Sequence, residues 1–382
     1  MGAMTLDFFS AEAMADHTVV TRQLLAGPRV QLFEGFDPPF YVLSRYSDID
    51  EVLRQPDLYL SGKGQGPNFI EPAGVVSDPP QHTYFRKLVQ DHFQPAAIAK
   101  LEPRLIEIAK ESLDSVADQE EWDLHDTLAF PLPIRIICEI LGIPTDDIWQ
   151  FKAWSDASVA ALASDNPEAF AKYHMALRDY ILGILEEKRL SPDETLLSRI
   201  ANAEDQGEKI SDNEAISLTS QMFVAGNETT TSLITNFVWR MHREGYWEDF
   251  VNGKIDLDKT INESLRFDPP LLTLFRTTAR ETELAGTTIP AGSKVMTYYA
   301  AANRDPEAFD NPDVFDPHRS GKRTMSFGLG IHFCLGSELA KLEARIALDA
   351  LRNRYPYLQL VNDGVRIPPF LFWGRCKLPV RT

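Results

Sequence analysis

The sequence predicts a mainly α-helical fold with a minor β portion. The longest stretch without proline runs from Pro192 to Pro269, and proline is the residue that most disfavours a helix interior. Apolar residues recur at helical spacing in this stretch and again near the C-terminal end, whereas the runs with strand-like composition are short. One mostly helical domain with a small β portion is the simplest arrangement of these elements.

The longest predicted helix spans residues 212–242. Ser211 and Glu214 have the spacing of a capping box, in which the serine is the N-cap and the glutamate is the third helical residue. This helix is roughly 45 Å long at 1.5 Å per residue, which is enough to cross a whole domain. Its apolar face is broad, so the sequence predicts a central, buried helix.

Shorter elements surround the long helix in the sequence. A second helix is predicted over residues 257–267 because Pro269 follows it, and a third over residues 336–354. The predicted β elements are residues 30–32, 40–43 and 287–289 and a terminal hairpin over residues 366–380.

No internal repeat or interdomain linker divides the sequence. Residues 1–4 carry a second methionine, Met4, and are expected to be an appended segment. The sequence therefore predicts one domain over residues 5–382.

Composition narrows the functional class. The 382 residues include 38 Lys and Arg and 56 Asp and Glu, which gives a formal net charge of −18. Nucleic-acid binding needs a basic face and a polybasic membrane anchor needs clustered Lys and Arg, so neither partner is expected. The N-terminal residues show no basic region followed by an apolar run, which argues against a signal peptide. These features are typical of a cytoplasmic enzyme, and we expect a monomer.

Cys334 is the most informative of the three cysteines. Cys138 and Cys376 lie far from it, so neither a disulfide framework nor a structural zinc site is expected. Cys334 lies in the sequence F-G-L-G-I-H-F-C-L-G, which ends where a helix is predicted to begin. Glycines let the backbone approach a bulky partner, and a helix N-terminus favours a thiolate. A lone thiolate suits an axial ligand of haem, whereas the alternative is a structural cysteine beside a glycine-rich turn.

This stretch resembles the haem-binding loop of the cytochrome P-450 family, F-G-x-G-x-H-x-C-x-G, at every defined position. The resemblance covers nearly the whole chain and is to the soluble bacterial type. It implies the P-450 fold, a triangular helical domain with a long central helix, a helix-rich side and a small β-rich side. It also implies haem b as the cofactor, with Cys334 as the axial ligand of the iron and His332 bonded to a haem propionate.

Three more haem contacts are implied by the resemblance. His82 and Arg86 match the H-x-x-x-R of the propionate-binding helix, and Arg276 matches a further propionate-binding position. Side chains four residues apart share one helix face, although such a pair is more often a surface pair. With His332, these residues would neutralise the two haem carboxylates.

The segment A-G-N-E-T-T lies midway along the long helix. Glycine, asparagine and repeated threonine are poor choices for a helix interior, so the segment indicates either a functional site or a local kink. It resembles the family's oxygen-activation motif, A-G-x-D/E-T. The resemblance implies that Glu228 relays protons from solvent and that Thr229 hydrogen-bonds the oxygen being activated. Many relatives have aspartate at the position of Glu228.

Glu263 and Arg266 match the family's E-x-x-R motif. A spacing of three places both charges on one helix face, and in isolation such a pair is usually a solvated surface pair. The resemblance implies that the pair bonds a downstream arginine, here Arg319, and has a structural role.

The resemblance implies a monooxygenase that inserts one atom of O₂ into a small hydrophobic or aromatic substrate by hydroxylation or oxidative demethylation. Two electrons from NAD(P)H would arrive through a separate ferredoxin and reductase, because no G-x-G-x-x-G motif follows a strand. The alternatives are oxidative coupling or dehydrogenation by the same haem chemistry, a haem protein that only binds or senses a ligand, and a non-haem hydrolase.

By family position, basic side chains near the haem loop are candidates for docking an acidic ferredoxin, with ordinary surface charge as the alternative. They are Lys87, Lys322, Arg323, Lys341 and Arg345. Substrate-pocket candidates, also by family position, are Phe69, Ile70, Gln221, Val224, Ala225, Leu272, Leu274, Phe370 and Phe372. Core packing is the alternative for each apolar one. Gln221 could hydrogen-bond a polar group of the substrate, and Lys63 could meet a substrate carboxylate.

Overall fold

The computed structural model describes residues 7–69, 73–145, 148–154, 167–205, 207–367 and 370–382, with the side chains of 167–174 excepted. The helices with described bounds, in chain order, are α1 Ala11–Ala15, α2 His17–Ala26, α3 Tyr46–Leu53, α4 Gln81–Val89, α5 Pro95–Ile98, α6 Glu102–Asp114, α7 Pro131–Leu141, α8 Pro167–Leu190, α9 Leu196–Ala201, α10 Asp212–Arg243, α11 Trp247–Val251, α12 Leu257–Phe267, α13 Tyr299–Ala302 and α14 Ser337–Arg354. None of these described helices combines the length and the hydropathy that a membrane crossing needs.

The strands are short. In chain order they are β1 Val30–Phe33, β2 Phe40–Leu43, β3 Tyr59–Leu60, β4 Glu121–Asp123, β5 Glu204–Asp205, β6 Glu208–Lys209, β7 Thr273–Thr278, β8 Thr282–Leu284, β9 Thr287–Ile289, β10 Lys294–Tyr298, β11 Gln359–Leu360, β12 Val365–Arg366, β13 Arg375–Lys377 and β14 Pro379–Arg381. The predicted mainly helical fold with a minor β portion is confirmed.

The chain divides by its internal contacts into two compact units. The β unit comprises residues up to 72, residues 252–334 and residues 366–374. The helical unit comprises residues 73–251, 335–365 and 375–382. The single domain expected from the sequence stays a prediction.

The β unit is built on a five-stranded sheet with the order β1-β2-β10-β7-β3. β2 and β10 run parallel, and the other neighbours are antiparallel. Alternate residues of each strand point to opposite faces, so Phe275 and Met296 enter one hydrophobic cluster while Val295 and Leu43 enter another. The sheet thus has an apolar cluster on each face and is a rigid support for the side chains along β7 and β10.

The helical unit is built around α10, which packs against α7, α8 and α14. The predicted capping box is present: Ser211 Oγ accepts from the Glu214 amide at 3.3 Å, and Glu214 Oε2 accepts from the Ser211 amide at 2.8 Å. Most residues from Ala215 to Met241 are buried. The central, buried helix predicted from the broad apolar face is therefore confirmed.

Apart from the terminal hairpin, the other element predictions differ from the structure only at their edges. α12 has the predicted bounds, and α14 begins one residue later, at Ser337. The terminal hairpin is correct only in part, because the final strand β14 pairs with β4 and β11. The residue before β14, Leu378, donates a hydrogen bond from its amide to Asp123 Oδ2 at 3.2 Å. β14, near the C-terminal end, therefore forms a sheet with β4, a strand of the helical unit that is far away in the sequence.

Candidate functional site

The glycine-rich stretch around Cys334 forms a curled loop in the β unit. The Cys334 amide donates to Phe327 O at 2.9 Å, and a 3-10 turn covers Gly330–His332. Gly330 has a φ of 71°, in the left-handed region that other residues disfavour. A Cβ atom added there would lie 2.2 Å from the carbonyl oxygen of Leu53. Only glycine therefore lets the loop pack against the end of α3.

The three cysteines have different environments. Cys138 is buried in α7, and burial raises the pKa of its thiol to about 12. Cys376 is half-buried, and its Sγ donates to Val365 O at 3.5 Å. Cys334 is half-buried in the glycine-rich loop, three residues before α14 begins. A buried apolar thiol stays protonated and inert, so Cys138 is a structural cysteine.

Two of the cationic side chains predicted to contact haem lie in the β unit with Cys334. Arg276 lies on β7 with 4% exposure, and its Nη1 donates to Phe275 O at 2.8 Å. His332 ends the 3-10 turn and is half-buried. A guanidinium as buried as that of Arg276 is stable only with hydrogen-bond acceptors or an anion around it.

The other two cationic side chains lie in the helical unit. His82 and Arg86 share one face of α4, with His82 buried and Arg86 half-buried. α4 begins directly after Pro79 and Pro80, and the His82 amide donates to Asp78 O at 3.0 Å. The pair is therefore not the exposed surface pair that its spacing alone would favour.

Glu228 and Thr229 lie near the middle of α10. Glu228 is 4% exposed, whereas Thr229 is half-buried. The Thr229 hydroxyl donates to Ala225 O, one turn earlier, at 2.9 Å. Since its single proton is used in this bond, the oxygen is left with capacity to accept hydrogen bonds. The helix continues through the whole segment, so the glycine, asparagine and threonines do not end it.

Glu263, Arg266 and Arg319 meet in the β unit. Arg266 Nε and Nη2 each donate to Glu263 at 2.8 Å, and Arg319 Nε donates to Glu263 Oε1 at 3.1 Å. The side chains of Glu263 and Arg266 are 0% and 1% exposed. The remaining Arg266 donors bond the carbonyls of Asn303, Pro312 and Val314. The alternative of a solvated surface pair is therefore wrong.

The pocket candidates occupy several environments. Leu272 and Phe370 are members of a hydrophobic cluster of the β unit, and Phe372 packs against it. Leu274 packs against the second cluster of that unit. Phe69 is 51% exposed. Ile70 lies outside the described residues.

The remaining pocket candidates lie on α10 in the helical unit. Val224 is half-buried and Ala225 is exposed. Gln221 Nε2 donates to Ala73 O and to Ser217 Oγ, the latter at 3.0 Å. The amide nitrogen of Gln221 thus holds the segment that follows residue 72, a role that the sequence did not indicate.

The five basic side chains predicted to dock a redox partner are divided between the units. Lys322 and Arg323 are exposed in the β unit and lie over the rings of Tyr46 and Phe333. In the helical unit Lys87 is exposed, Lys341 is half-buried, and Arg345 pairs with Glu102 at 3.3 Å.

Glu343 and Lys294 are among the buried titratable side chains that the sequence analysis missed. Glu343 on α14 is 2% exposed, and burial raises its pKa to about 8, against the opposing effect of a hydrogen bond from Thr230. It lies four residues after Leu339 and three before Ile346, so helical periodicity could have placed it on the apolar face. Lys294 on β10 is 1% exposed. Strand alternation alone does not distinguish it from a surface lysine at a strand end.

Comparison with known proteins gives concordant results. The sequence model of the family "Cytochrome P450" matches residues 256–359. A putative cytochrome P450 of Bacillus subtilis, YjiB, is 37% identical, with 83% of this chain and 82% of that protein covered. The erythromycin C-12 hydroxylase of Saccharopolyspora erythraea is 36% identical, with coverages of 88% and 87%. The crystal structure of CYP109E1 from Bacillus megaterium with testosterone is 30% identical and superimposes with a TM-score of 0.88, covering 97% of this chain and 99% of that one.

Proposed function

Because the chain belongs to the cytochrome P450 family and is a P450 monooxygenase, we propose that it hydroxylates a hydrophobic organic substrate with O₂. We further propose that electrons reach it from NAD(P)H through a separate ferredoxin and its reductase. The observation that carries the proposal is the Cys334 loop, whose glycines hold a half-buried cysteine in a tightly curled segment.

The residues present fit a haem group. Haem with a thiolate ligand requires an accessible cysteine, room beside the backbone and positive charge for two carboxylates. Cβ atoms added to Gly328 and Gly336 would meet no atom within 4 Å, so the backbone leaves open space at both positions. Arg276 supplies a buried guanidinium in the same unit as Cys334. A buried thiol such as that of Cys138 on α7 would be inaccessible to the iron, whereas Cys334 is half-buried.

In this proposal Cys334 ligates the haem iron, and His82, Arg86, Arg276 and His332 hold the propionates. When bound, haem with a thiolate ligand supplies the activation of O₂ and the transfer of one oxygen atom to a carbon of the substrate. Glu263, Arg266 and Arg319 keep their structural role, because their donors and acceptors are used within the protein.

Glu228 and Thr229 are proposed to manage protons. The Thr229 hydroxyl proton stays on Ala225 O, so Thr229 Oγ1 accepts a hydrogen bond from a water molecule and orients it. The Glu228 carboxyl takes a proton from solvent and passes it on to that water. Loss of the Thr229 oxygen would leave this water unoriented, and the two electrons from NAD(P)H would then leave with O₂ and two protons as hydrogen peroxide.

The substrate is proposed to be hydrophobic because the half-buried candidates are mostly apolar: Val224, Leu274 and Phe372. Two of the named relatives, an erythromycin hydroxylase and a structure with testosterone, support a substrate size range that extends beyond small aromatic molecules. Lys63 remains our candidate for contact with a substrate carboxylate. The exposed Lys87, Lys322 and Arg323 are proposed to attract an acidic ferredoxin.

A carbon-monoxide difference spectrum of the reduced protein tests the haem-thiolate assignment. We expect the Soret band of thiolate-ligated haem in the wild type and its loss in Cys334→Ala. Cys376→Ala is the matched control, since it removes a half-buried thiol at another position, and it should keep the band. Loss of the band in the control alone, or its absence in the wild type, would contradict the proposal.

The proton assignment is tested by the peroxide formed per NAD(P)H consumed. Thr229→Ala should keep the Soret band and release most reducing equivalents as peroxide. Thr231→Val is the control, because the Thr231 hydroxyl donates to Ala129 O at 3.0 Å within the protein and is not assigned to the reaction. Full coupling in Thr229→Ala would refute the role given to this hydroxyl.

The substrate class is tested by the low-spin to high-spin shift of the haem on titration. A steroid, a macrolide, a fatty acid and a small aromatic acid, each titrated separately, cover the range of size and charge. A shift only with charged polar compounds would contradict the proposed hydrophobic substrate.

A further inference from the structure

The loop from Ser61 to Phe69 is held against the sheet of the β unit. Lys294 Nζ donates to the carbonyl oxygens of Lys63 and Gly64, each at 2.8 Å. The Phe275 amide of β7 donates to Gln65 O at 3.0 Å. The loop is therefore bonded to two neighbouring strands, β10 through a side chain and β7 through the backbone.

A tight turn presents the two carbonyls to one ammonium group. The Gly64 amide donates to Ser61 O at 2.9 Å, and Gly64 has a φ of 98°. This left-handed conformation is open to glycine and strained for other residues. The turn directs successive carbonyl oxygens of the loop to the same Nζ atom, which is an acceptor arrangement suited to a cation.

Phe69 completes the contact at the far end of the loop. Lys294 Nζ lies 4.7 Å from the centroid of the Phe69 ring, within cation–π range. Phe69 is nevertheless 51% exposed. One ammonium group thus touches both the turn and an aromatic ring whose other side faces away from the core.

The cost of burying Lys294 shows that its hydrogen bonds matter. The residue is 1% exposed, and among the described residues no carboxylate lies within 4.0 Å of its Nζ. Burial and the like charge of Arg276 lower its pKa to about 8. A buried ammonium is destabilising unless its donors are used, and among the described residues its hydrogen-bond acceptors are the two loop carbonyls.

We propose that Lys294 is a positioning residue that holds the Ser61–Phe69 loop and the Phe69 ring in place, and so sets the size of ligand that the site admits. The second half rests on the proposed function and on the expectation from the sequence that Phe69 lines the substrate pocket. The first half concerns the loop alone and does not depend on haem chemistry.

Hydrogen–deuterium exchange of the holoenzyme tests the first half. Lys294→Met keeps the length and apolar stem of the side chain but removes the donors. We expect amides in residues 61–69 to exchange at least about tenfold faster, as follows from losing hydrogen bonds to a charged group. Lys294→Arg should restore part of the protection. Lys259→Met is the control: it removes a positive charge that is exposed on α12 of the same unit, so protection of residues 61–69 should be unchanged.

The second half is tested by binding of azoles to the haem iron. The ratio of the dissociation constants of 4-phenylimidazole and imidazole reports the space available, since the two differ by one phenyl ring. We expect Lys294→Met and Phe69→Leu to change this ratio at least about threefold, in line with a cation–π contact of modest strength. Lys259→Met should not change it.

The outcomes separate the two halves. Wild-type exchange in Lys294→Met would overturn the positioning role. Faster exchange with an unchanged azole ratio would overturn the effect on ligand size. If Lys294→Met does not fold, Phe69→Leu decides, because it alters an exposed ring, and an unchanged ratio there overturns the proposal. Failure of the proposed function itself would appear as absence of the thiolate Soret band, while the exchange result would still be readable.

Discussion

Glu263 in the β unit and Glu343 in the helical unit are each 2% exposed, yet their surroundings differ. Glu263 accepts hydrogen bonds from Arg266, from Arg319 and from the Asp316 amide. Glu343 has a hydrogen bond from Thr230, and burial raises its pKa to about 8. One carboxyl is neutralised by paired cations, and the other is neutralised by keeping its proton.

The difference shows two ways in which a fold can bury an acid. A carboxylate withdrawn from water costs several kcal/mol unless partners replace its hydration, and two guanidinium groups do so at Glu263. At Glu343 the described residues supply a hydrogen bond from Thr230 and no paired cation, so binding a proton costs less than burying the charge. The contribution of Glu263 to stability therefore depends on other side chains, whereas that of Glu343 depends on pH.

Removing the charge of Glu263 should have the largest effect. Glu263→Gln leaves the buried Arg266 and the half-buried Arg319 without their anion, so the free energy of unfolding should fall by about 3 to 5 kcal/mol. Urea denaturation of the holoenzyme measures this loss. Glu102→Gln is the control, because Glu102 pairs with Arg345 at 3.3 Å with 42% and 39% of the two side chains exposed. Its loss should be about 1 kcal/mol or less. Equal losses of unfolding free energy in the two variants would contradict the expected difference between a buried and an exposed ion pair.

The pH dependence of stability should carry the signature of Glu343. Its folded pKa is near 8, above the model-peptide value of 4.5, so the folded state binds this proton more tightly than the unfolded chain does. The stabilisation is complete below pH 4.5 and is lost as pH rises from there through about 8. Its slope is at most about 1.4 kcal/mol per pH unit.

Glu343→Gln tests this assignment directly, because the amide cannot titrate. Urea denaturation at several pH values should give a flatter profile for the variant than for the wild type between pH 5 and pH 8, a window that spans most of the shift. Identical slopes would show that Glu343 does not keep its proton in the folded state.

A smaller effect is expected from the hydroxyl that bonds Glu343. Thr230→Val removes that donor with little change of shape and should lower the free energy of unfolding by about 1 kcal/mol. The pKa of Glu343 should also rise further, because the hydroxyl now favours its ionised form. The same denaturation series measures both changes.

Thr235→Val is the matched control for this variant. The Thr235 hydroxyl donates to Thr231 O at 3.1 Å within α10, and Thr235 is fully buried. Its replacement should leave the pH profile unchanged. A shifted profile in Thr235→Val would mean that repacking of α10, rather than the Thr230 hydroxyl, controls the proton on Glu343.

The same two glutamates show how much of the structure could be predicted from the sequence. Glu263 and Arg266 could be identified because both partners lie on one helix at a spacing that a motif records, and the bounds of α12 were also predicted correctly. The helix periodicity of α14 places Glu343 near Leu339 and Ile346, but its charge state depends on which side chain of α10 lies opposite. That information belongs to the packing of two helices that are far apart in the sequence.

The functional loop shows a similar limit. The glycines around Cys334 were evident because the pattern is local and positive φ values favour glycine. The contacts of Gln221 and Lys294 were not, since each bonds backbone carbonyls of a remote segment. A carbonyl acceptor has no sequence signature, so such anchors become visible only when the chain is folded.

The parallel pairing of β2 with β10 has a consequence for synthesis of the protein. β1 and β2 can pair with each other as soon as both are made, but Phe40 of β2 lies beside Lys294, so the other edge of β2 is unpaired until β10 has been synthesised. Contacts of such long sequence separation slow folding and leave strand edges exposed in the meantime. The nascent N-terminal segment should therefore be a preferred client for chaperones until β10 has emerged.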